Sequence, residues 1–314
     1  MSQIAVNQLT TTPENGWQLF LSLVKGLLRP GDAWQNPRYR RKFMLRSLVS
    51  PFSTGKLLST LASQPLLDEM LHAQPGLPCR LHRPYLAANF NRNDALNALC
   101  FHYQTLTQTL PEKLLHSHLS ESGARLAQLK GKDESQYYID FCAIANMDKE
   151  GEATLIMSNA EGCELAGLTF TLCFYQGKST LFIGGLQGAK SWVPHEAIQN
   201  ATKACHGLFP KRLLLETACQ LARHIGVEQI LAVSNSAHIY RSWRYQKKKK
   251  DRLHADYDSF WQSMSGELLA QGYFKMPDEV ARKPLEDIAS KKRAEYRRRY
   301  ALLDGMNANI AAQF

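Results

Sequence analysis

Residues 208–216 read LFPKRLLLE and place two cations where a helix should begin. Pro210 suits a first helical position, because its ring fixes φ and the N–H it lacks would be unpaired there anyway. Lys211 and Arg212 follow at once. A helix N-terminus is already partly positive, so exposed cations in its first turn are unfavourable by about 0.3–1 kcal/mol each, whereas an anion is welcome. The pair either meets an anionic group or is simply solvated. A second concentration of charge, Lys247, Lys248, Lys249 and Lys250, could grip anionic lipid headgroups at about 1 kcal/mol per basic residue. Tyr240, Trp243 and Tyr245 beside it could stack on bases, although no nucleic-acid motif accompanies them.

Other reactive residue types form no defensible set. Ser234 and Ser236 flank Asn235 at a strand end, and His238 reads as a structural or surface histidine. His116 and His118 make an isolated H-x-H without the second ligand pair of a zinc site. The seven cysteines are scattered, without a C-x-x-C, as reduced core thiols of a cytoplasmic protein would be. The opening MSQIAVNQLTTTPENGW has no basic-then-apolar export pattern, and no apolar run nears the ~18 residues of a membrane span.

Charge is segregated. The formal net charge of +10 hides three blocks: residues 25–46 and 241–252 each carry seven Lys/Arg against one acid, and residues 282–299 carry eight against three. Segregation of this kind points to an anionic partner: a small molecule, lipid headgroups or, third, nucleic acid.

The positioning elements follow from periodicity. Trp17, Phe20, Leu21, Val24, Leu27 and Leu28 predict an amphipathic helix over 16–29, ended by Pro30-Gly31. With the basic stretch 38–46 it could lie on an anionic bilayer, Trp17 acting as anchor. Further helices are expected over 55–73 and 92–119. From 136 onward strand signals dominate. QYYIDFCAIA, ATLIMSNA, ELAGLTFTLCFY and STLFIGG, joined by short turns, predict an antiparallel meander. The alternation in the third predicts one strongly apolar face. Helices at 194–205 and 210–225 and a buried strand EQILAVS then predict a right-handed strand–helix–strand crossover. Pro284, Glu286 and Asp287 are expected to open a last basic helix. The expected class is α+β, with a helical region over 1–120, a core over 121–280 and a basic C-terminal helix over 281–314.

The run HGLFPKRLLLETACQLARHIGVEQILAVSNSAHIY (206–240) resembles the central motif of the GNAT-type N-acetyltransferases. Gly207 matches the cofactor turn, Leu213–Ala222 the helix, Gly226-Val227 its end, and Asn235, Ala237 and Tyr240 the element beside the thioester. That resemblance implies a GNAT-like core and acyl-CoA as cofactor, held near His206, Gly207, Lys211, Arg212 and Asn235. It also implies Tyr240 as proton donor to the leaving thiolate, and a carboxylate base, for which Glu216 and Glu228 are the nearest acids. This chain departs from the family turn at Phe209, Pro210 and Lys211 and inserts a helix before it. SNSAHIYRSWRY (234–245), YDSFWQSMSG (257–266) and RKPLEDIASKKRAEYRRRYALLD (282–304) resemble the VirK/YbjX family of Gram-negative bacteria. This implies a protein linked to virulence and to tolerance of cationic antimicrobial peptides, acting through the cell envelope. The missing export pattern and the free cysteines add the expectation of a cytoplasmic protein, and the basic faces that of one peripheral on the inner membrane. The leading reading is such a factor with acyl-CoA-dependent transferase activity. The alternative is a non-enzymatic peripheral protein that binds anionic membrane or a regulatory partner through its basic faces, and nucleic-acid binding stands third.

Overall fold

The computed structural model describes residues 13–245 and 256–314. The first third is helical: α1 (Gly16–Lys25), α2 (Asp32–Gln35), α3 (Pro37–Val49), α4 (Pro51–Ala62), α5 (Leu67–Ala73), α6 (Arg92–Thr109) and α7 (Glu112–Leu119). Proline opens α3 and α4, as it suits N1. The predicted helix over 16–29 stops earlier, because Gly26 takes a left-handed conformation and its N–H returns to Leu23. The helices expected over 55–73 and 92–119 are each broken in two, the second at Pro111, which caps α7.

Strands β1 (Ala124–Lys130), β2 (Gln136–Cys142), β3 (Ala153–Asn159), β4 (Glu164–Tyr175) and β5 (Lys178–Gly188) form the expected antiparallel meander, extended by β1. The chain then crosses over through α8 (His195–Ala204) and α9 (Pro210–Ile225) to β6 (Gln229–Val233), which pairs parallel to β5. After α10 (Tyr257–Ser263), the short β7 (Glu267–Leu268) and β8 (Tyr273–Met276) complete a mixed sheet ordered β1-β2-β3-β4-β5-β6-β8-β7. The last helix, α11 (Ser290–Ala311), starts later than expected, because Leu285–Asp287 form only a 3-10 turn. One hydrophobic cluster runs from Leu19 and Trp34 in the helical region, through the sheet, to Met306 and Ile310 in α11.

Strand β4 corrects one expectation: it is apolar-in on one face but buried on both. Thr169 and Thr171, on its other face, are 2% and 0% exposed. Small polar side chains tolerate this because they find partners: Thr169 with Thr154 at 3.0 Å and Thr171 with the Tyr85 hydroxyl at 2.7 Å. In β5 the register against β4 slips at Gly184, an extra residue between Ile183 and Gly185. A Cβ at Gly184 would sit 1.9 Å from the Glu150 carbonyl oxygen, and one at Gly185 2.0 Å from the Glu150 carboxylate. The glycine pair thus lets residue 150 lie directly on the strand.

Candidate functional site

The start of α9 answers the question posed by LFPKR. Few backbone donors are left there for an anion. Gly207 N–H donates to Thr202 O at 2.7 Å, Leu208 N–H to Cys205 O at 3.0 Å, and Arg212 and Leu213 N–H both to Phe209 O. Pro210 has none to give. Arg299 of α11 donates to His206 O at 2.8 Å and lies against Gly207, while Phe260 of α10 packs edge-on against Phe209 at 6.0 Å. Arg299 and Phe260 thus pack against the turn, in which Gly207 itself is exposed. Arg212 has its own counter-ion, Glu216, one helical turn on at 3.3 Å. Glu216 is buried, which raises its pKa, and it serves Arg212 inside α9. Lys211 makes no ion pair among the described residues; half-buried, its pKa is lowered by desolvation. Glu228 stands at the other end of α9, about 24 Å away at 1.5 Å per residue. It is exposed and accepts from Ser179 N–H at 2.8 Å and Ser179 Oγ at 3.1 Å, tying the β4–β5 turn to β6.

The segment after β6 is a tie between elements. Asn235 N–H donates to Asp258 at 2.7 Å, its amide donates to Asp256 at 3.0 Å, and its side-chain oxygen accepts from Tyr257 N–H at 2.9 Å. It thereby fixes the start of α10. From α10, the Tyr257 hydroxyl accepts from Leu186 N–H at 3.3 Å and Trp261 Nε1 donates to Val233 O at 2.9 Å. These two aromatics bridge the ends of β5 and β6 just past their last parallel pair, Ile183 with Ala232.

Beneath them lies a polar knot that sequence reasoning missed. Glu150, 1% exposed, accepts from Gln187 Nε2 at 2.9 Å through both oxygens and hydrogen-bonds the Tyr240 hydroxyl. His238 Nε2 stands 3.7 Å from its carboxylate, and the His238 ring stacks on Tyr257. Burial first, then Glu150, raises the Tyr240 pKa, so the phenol stays protonated. A carboxylate, an imidazole and a phenol could relay a proton; with Glu150 and His238 buried and Tyr240 half-buried, they hold the 145–152 loop, β5 and the post-β6 segment together. A second knot centres on Arg80, 0% exposed, which donates to Glu152 at 2.7 and 3.0 Å and Gln74 at 2.9 Å, and pairs with Asp148. Tyr103 of α6 donates to Glu152 at 2.6 Å. Asp148, Glu150 and Glu152 alternate within NMDKEGE, read from sequence as a plain turn. Acids at every second residue before a strand were the available signal.

The helical region offers a different surface. Lys25, Arg29, Arg38, Arg40, Arg41, Lys42 and Arg46 make no ion pair among the described residues. Beside them an apolar stripe faces solvent: Leu45, Leu48 and Val49 are 59%, 65% and 78% exposed, and Phe52, at the start of α4, is 91% exposed. Trp17, 65% exposed, joins Met44, Leu48 and Pro51 around an apolar groove of about 420 Å³. Of the aromatics read as a stacking platform only Trp243 is exposed; Tyr240 and Tyr245 turn inward onto each other at 6.2 Å. His116 and His118 diverge, to Glu69 and Phe141. Lys247, Lys248, Lys249 and Lys250 lie outside the described residues. Among the described residues no helix is long and apolar enough to cross a membrane.

Residues 32–312 match the family described as "Protein of unknown function (DUF535)". The chain is 49% identical over 315 residues to "Uncharacterized protein YbjX" of Escherichia coli strain K12, covering all of this chain and 95% of that protein. An "Uncharacterized protein" of Haemophilus influenzae is 28% identical over 286 residues, 88% of this chain and 89% of its own length. No solved structure matches.

Proposed function

The chain belongs to the DUF535 family, that of the VirK/YbjX proteins, and we propose that it acts without catalysis, as a peripheral protein seating its helical region on an anionic bilayer. The observation that carries this is the outward stripe Leu45, Leu48, Val49 and Phe52 flanked by cations that no acid among the described residues neutralises. The inner face of α3 is already spent on the core through Phe43 and Ser47. A second apolar face on the same helix therefore has no use within the fold and suits the headgroup–acyl boundary. Each Leu or Phe taken out of water contributes about 1.5–3 kcal/mol and each nearby cation about 1 kcal/mol. Such a seat fits the envelope-linked role, in virulence and in tolerance of cationic antimicrobial peptides, that the family resemblance implies.

Vesicle co-sedimentation tests it. The wild-type chain is expected to sediment with phosphatidylcholine vesicles containing phosphatidylglycerol and not with phosphatidylcholine alone. Leu48→Ser/Phe52→Ser and Arg41→Glu/Lys42→Glu should each weaken binding at least about tenfold with an unchanged circular dichroism spectrum. Folded wild-type protein that ignores anionic vesicles would end this reading.

An acyl-CoA-dependent transferase with a GNAT-like core is the competing reading, and Lys211 without an acid partner at the start of α9 is the observation in its favour. Calorimetric titration with acetyl-CoA, alongside Lys211→Ala/Arg212→Ala, separates the two. Micromolar binding lost in the variant would carry the transferase; no binding leaves the turn as packing.

A further inference from the structure

On the side of the molecule where the 3-10 segment Leu77–His82 meets the start of α6, there is a cavity of about 290 Å³. Its wall includes His82, Arg83, Arg92, Ser242 and Arg244, with Trp243 at the rim, and no carboxylate. Arg92 and Arg244 make no ion pair among the described residues. Among the described residues, the Arg244 guanidinium hydrogen-bonds only the His82 carbonyl oxygen, at 3.3 Å. Arg83 touches an acid, Asp148, but that carboxylate is shared with Arg80 and Lys149. The cavity is therefore lined by guanidinium charge in excess.

Among the described residues, two buried polar atoms of the lining side chains also lack a partner. Ser242 is 4% exposed and its hydroxyl makes no hydrogen bond; nor does His82 Nε2. The Tyr245 hydroxyl, buried within electrostatic reach of Arg83 and Arg244, makes none either. Each such group costs about 1–3 kcal/mol unless something completes it. Arginine forks match tetrahedral oxyanions better than any other side chain does, and hydroxyl and imidazole N–H groups add further donors.

We propose that the Arg83–Arg92–Arg244 cavity, with Ser242 and His82, binds a phosphate ester group. The inference is independent of the membrane seat in its residues: none of those lining the cavity belongs to the exposed stripe Leu45, Leu48, Val49 and Phe52. Burial first, then Arg46, Arg92 and Arg83, lowers the His82 pKa to about 4, so the imidazole is neutral at pH 7 and the guanidiniums supply the charge. An entering phosphate would offset those cations and draw the His82 pKa upward.

The test is calorimetric titration of the full chain with inorganic phosphate and with glycerol 3-phosphate, and flotation with vesicles containing phosphatidic acid. The variants are Arg92→Gln/Arg244→Gln and Ser242→Ala; Arg41→Glu/Lys42→Glu serves as the control for the membrane face. Saturable binding of the soluble phosphates, weakened about 10- to 100-fold in the double arginine variant and unaltered in the control, is the expected result. The His82 titration, followed by its imidazole proton resonances, should move up by about one pH unit at saturation. Vesicle binding that depends on Arg92 and Arg244 without soluble binding would also support the site and assign the phosphate to a lipid headgroup. Folded wild-type protein that binds none of these probes, or binding indifferent to both arginines, overturns the proposal.

Discussion

The crossover and the helical region both carry cations, but the fold gives acid partners to most of those on α9 and, among the described residues, to none of those at residues 25–46. At the crossover, Arg212 meets Glu216, Arg299 meets the His206 carbonyl oxygen, and Arg282 meets Asp304 at 2.7 Å. The backbone donors of the turn are likewise consumed, and α10 closes the ends of β5 and β6 with Tyr257 and Trp261. In the helical region Arg29 and Arg40 reach only neutral oxygens, none of the cations of residues 25–46 meets an acid among the described residues, and apolar side chains point outward beside them. Lysines and arginines occur in both regions. What separates them is whether the fold already supplies the opposite charge, and that depends on partners far along the chain.

The largest effect would come from breaking the join between the regions. Arg80→Met leaves Glu152 buried without its counter-ion, and should lower stability by about 3–5 kcal/mol in urea denaturation. A single transition would show the helical region and sheet unfolding as one unit; two transitions would show the comparison to be between separate folding units.

Acid should act next. Burial lowers the pKa of His102 to about 3 and of His118 to about 4. Both are depressed below the unfolded value of 6.5, so the unfolded chain binds protons first as pH falls. Their stabilising contribution is present above about 6.5 and is lost toward the folded values, with a slope on the order of 1 kcal/mol per pH unit for each. Denaturation midpoints measured from pH 7 to pH 4 check it, and a flat profile would contradict their neutral burial.

A smaller change sharpens the closed nature of the crossover. Trp261→Phe removes the donor to Val233 O and should cost about 1–2 kcal/mol in thermal or urea unfolding, leaving vesicle binding untouched. Were vesicle binding to fall instead, α10 would belong with the membrane face. The smallest effect is expected at Glu228. Hydrogen bonds from Ser179 hold its pKa below the ordinary glutamate value of 4.5. Its contribution is present above that value and fades as pH drops through the lower folded one, so wild type and Glu228→Gln should converge in stability under acid.

Much of the scaffold was legible because local rules sufficed. Helix α9 begins at Pro210 and ends at Ile225 before a left-handed Gly226, as proline and glycine dictate. The strands β2 to β6 followed from β-rich runs between turns. Strand β1 was missed because its register shift between Arg125 and Ala127 buries Leu126 and Ala127 together, erasing the alternation. Strands β7 and β8 are too short to show a period. The knots were illegible for another reason. Glu150 meets Gln187 and His238, and Arg80 meets Glu152, across sequence separations that no spacing rule reaches. Asn235 was read toward a cofactor, while its amide is fully engaged in starting α10.

The order of the sheet also bears on how the chain is made. The meander through β5 is complete by Gly188, but the outer edge of β6, the apolar run QILAV, stays unpaired until Tyr273–Met276 emerge about 40 residues later. At ribosomal rates of about 5–20 residues per second, that edge is open for roughly 2–8 s in every round of synthesis. The nascent polypeptide therefore has a brief, defined interval in which a chaperone can help it and a neighbouring polysome can harm it.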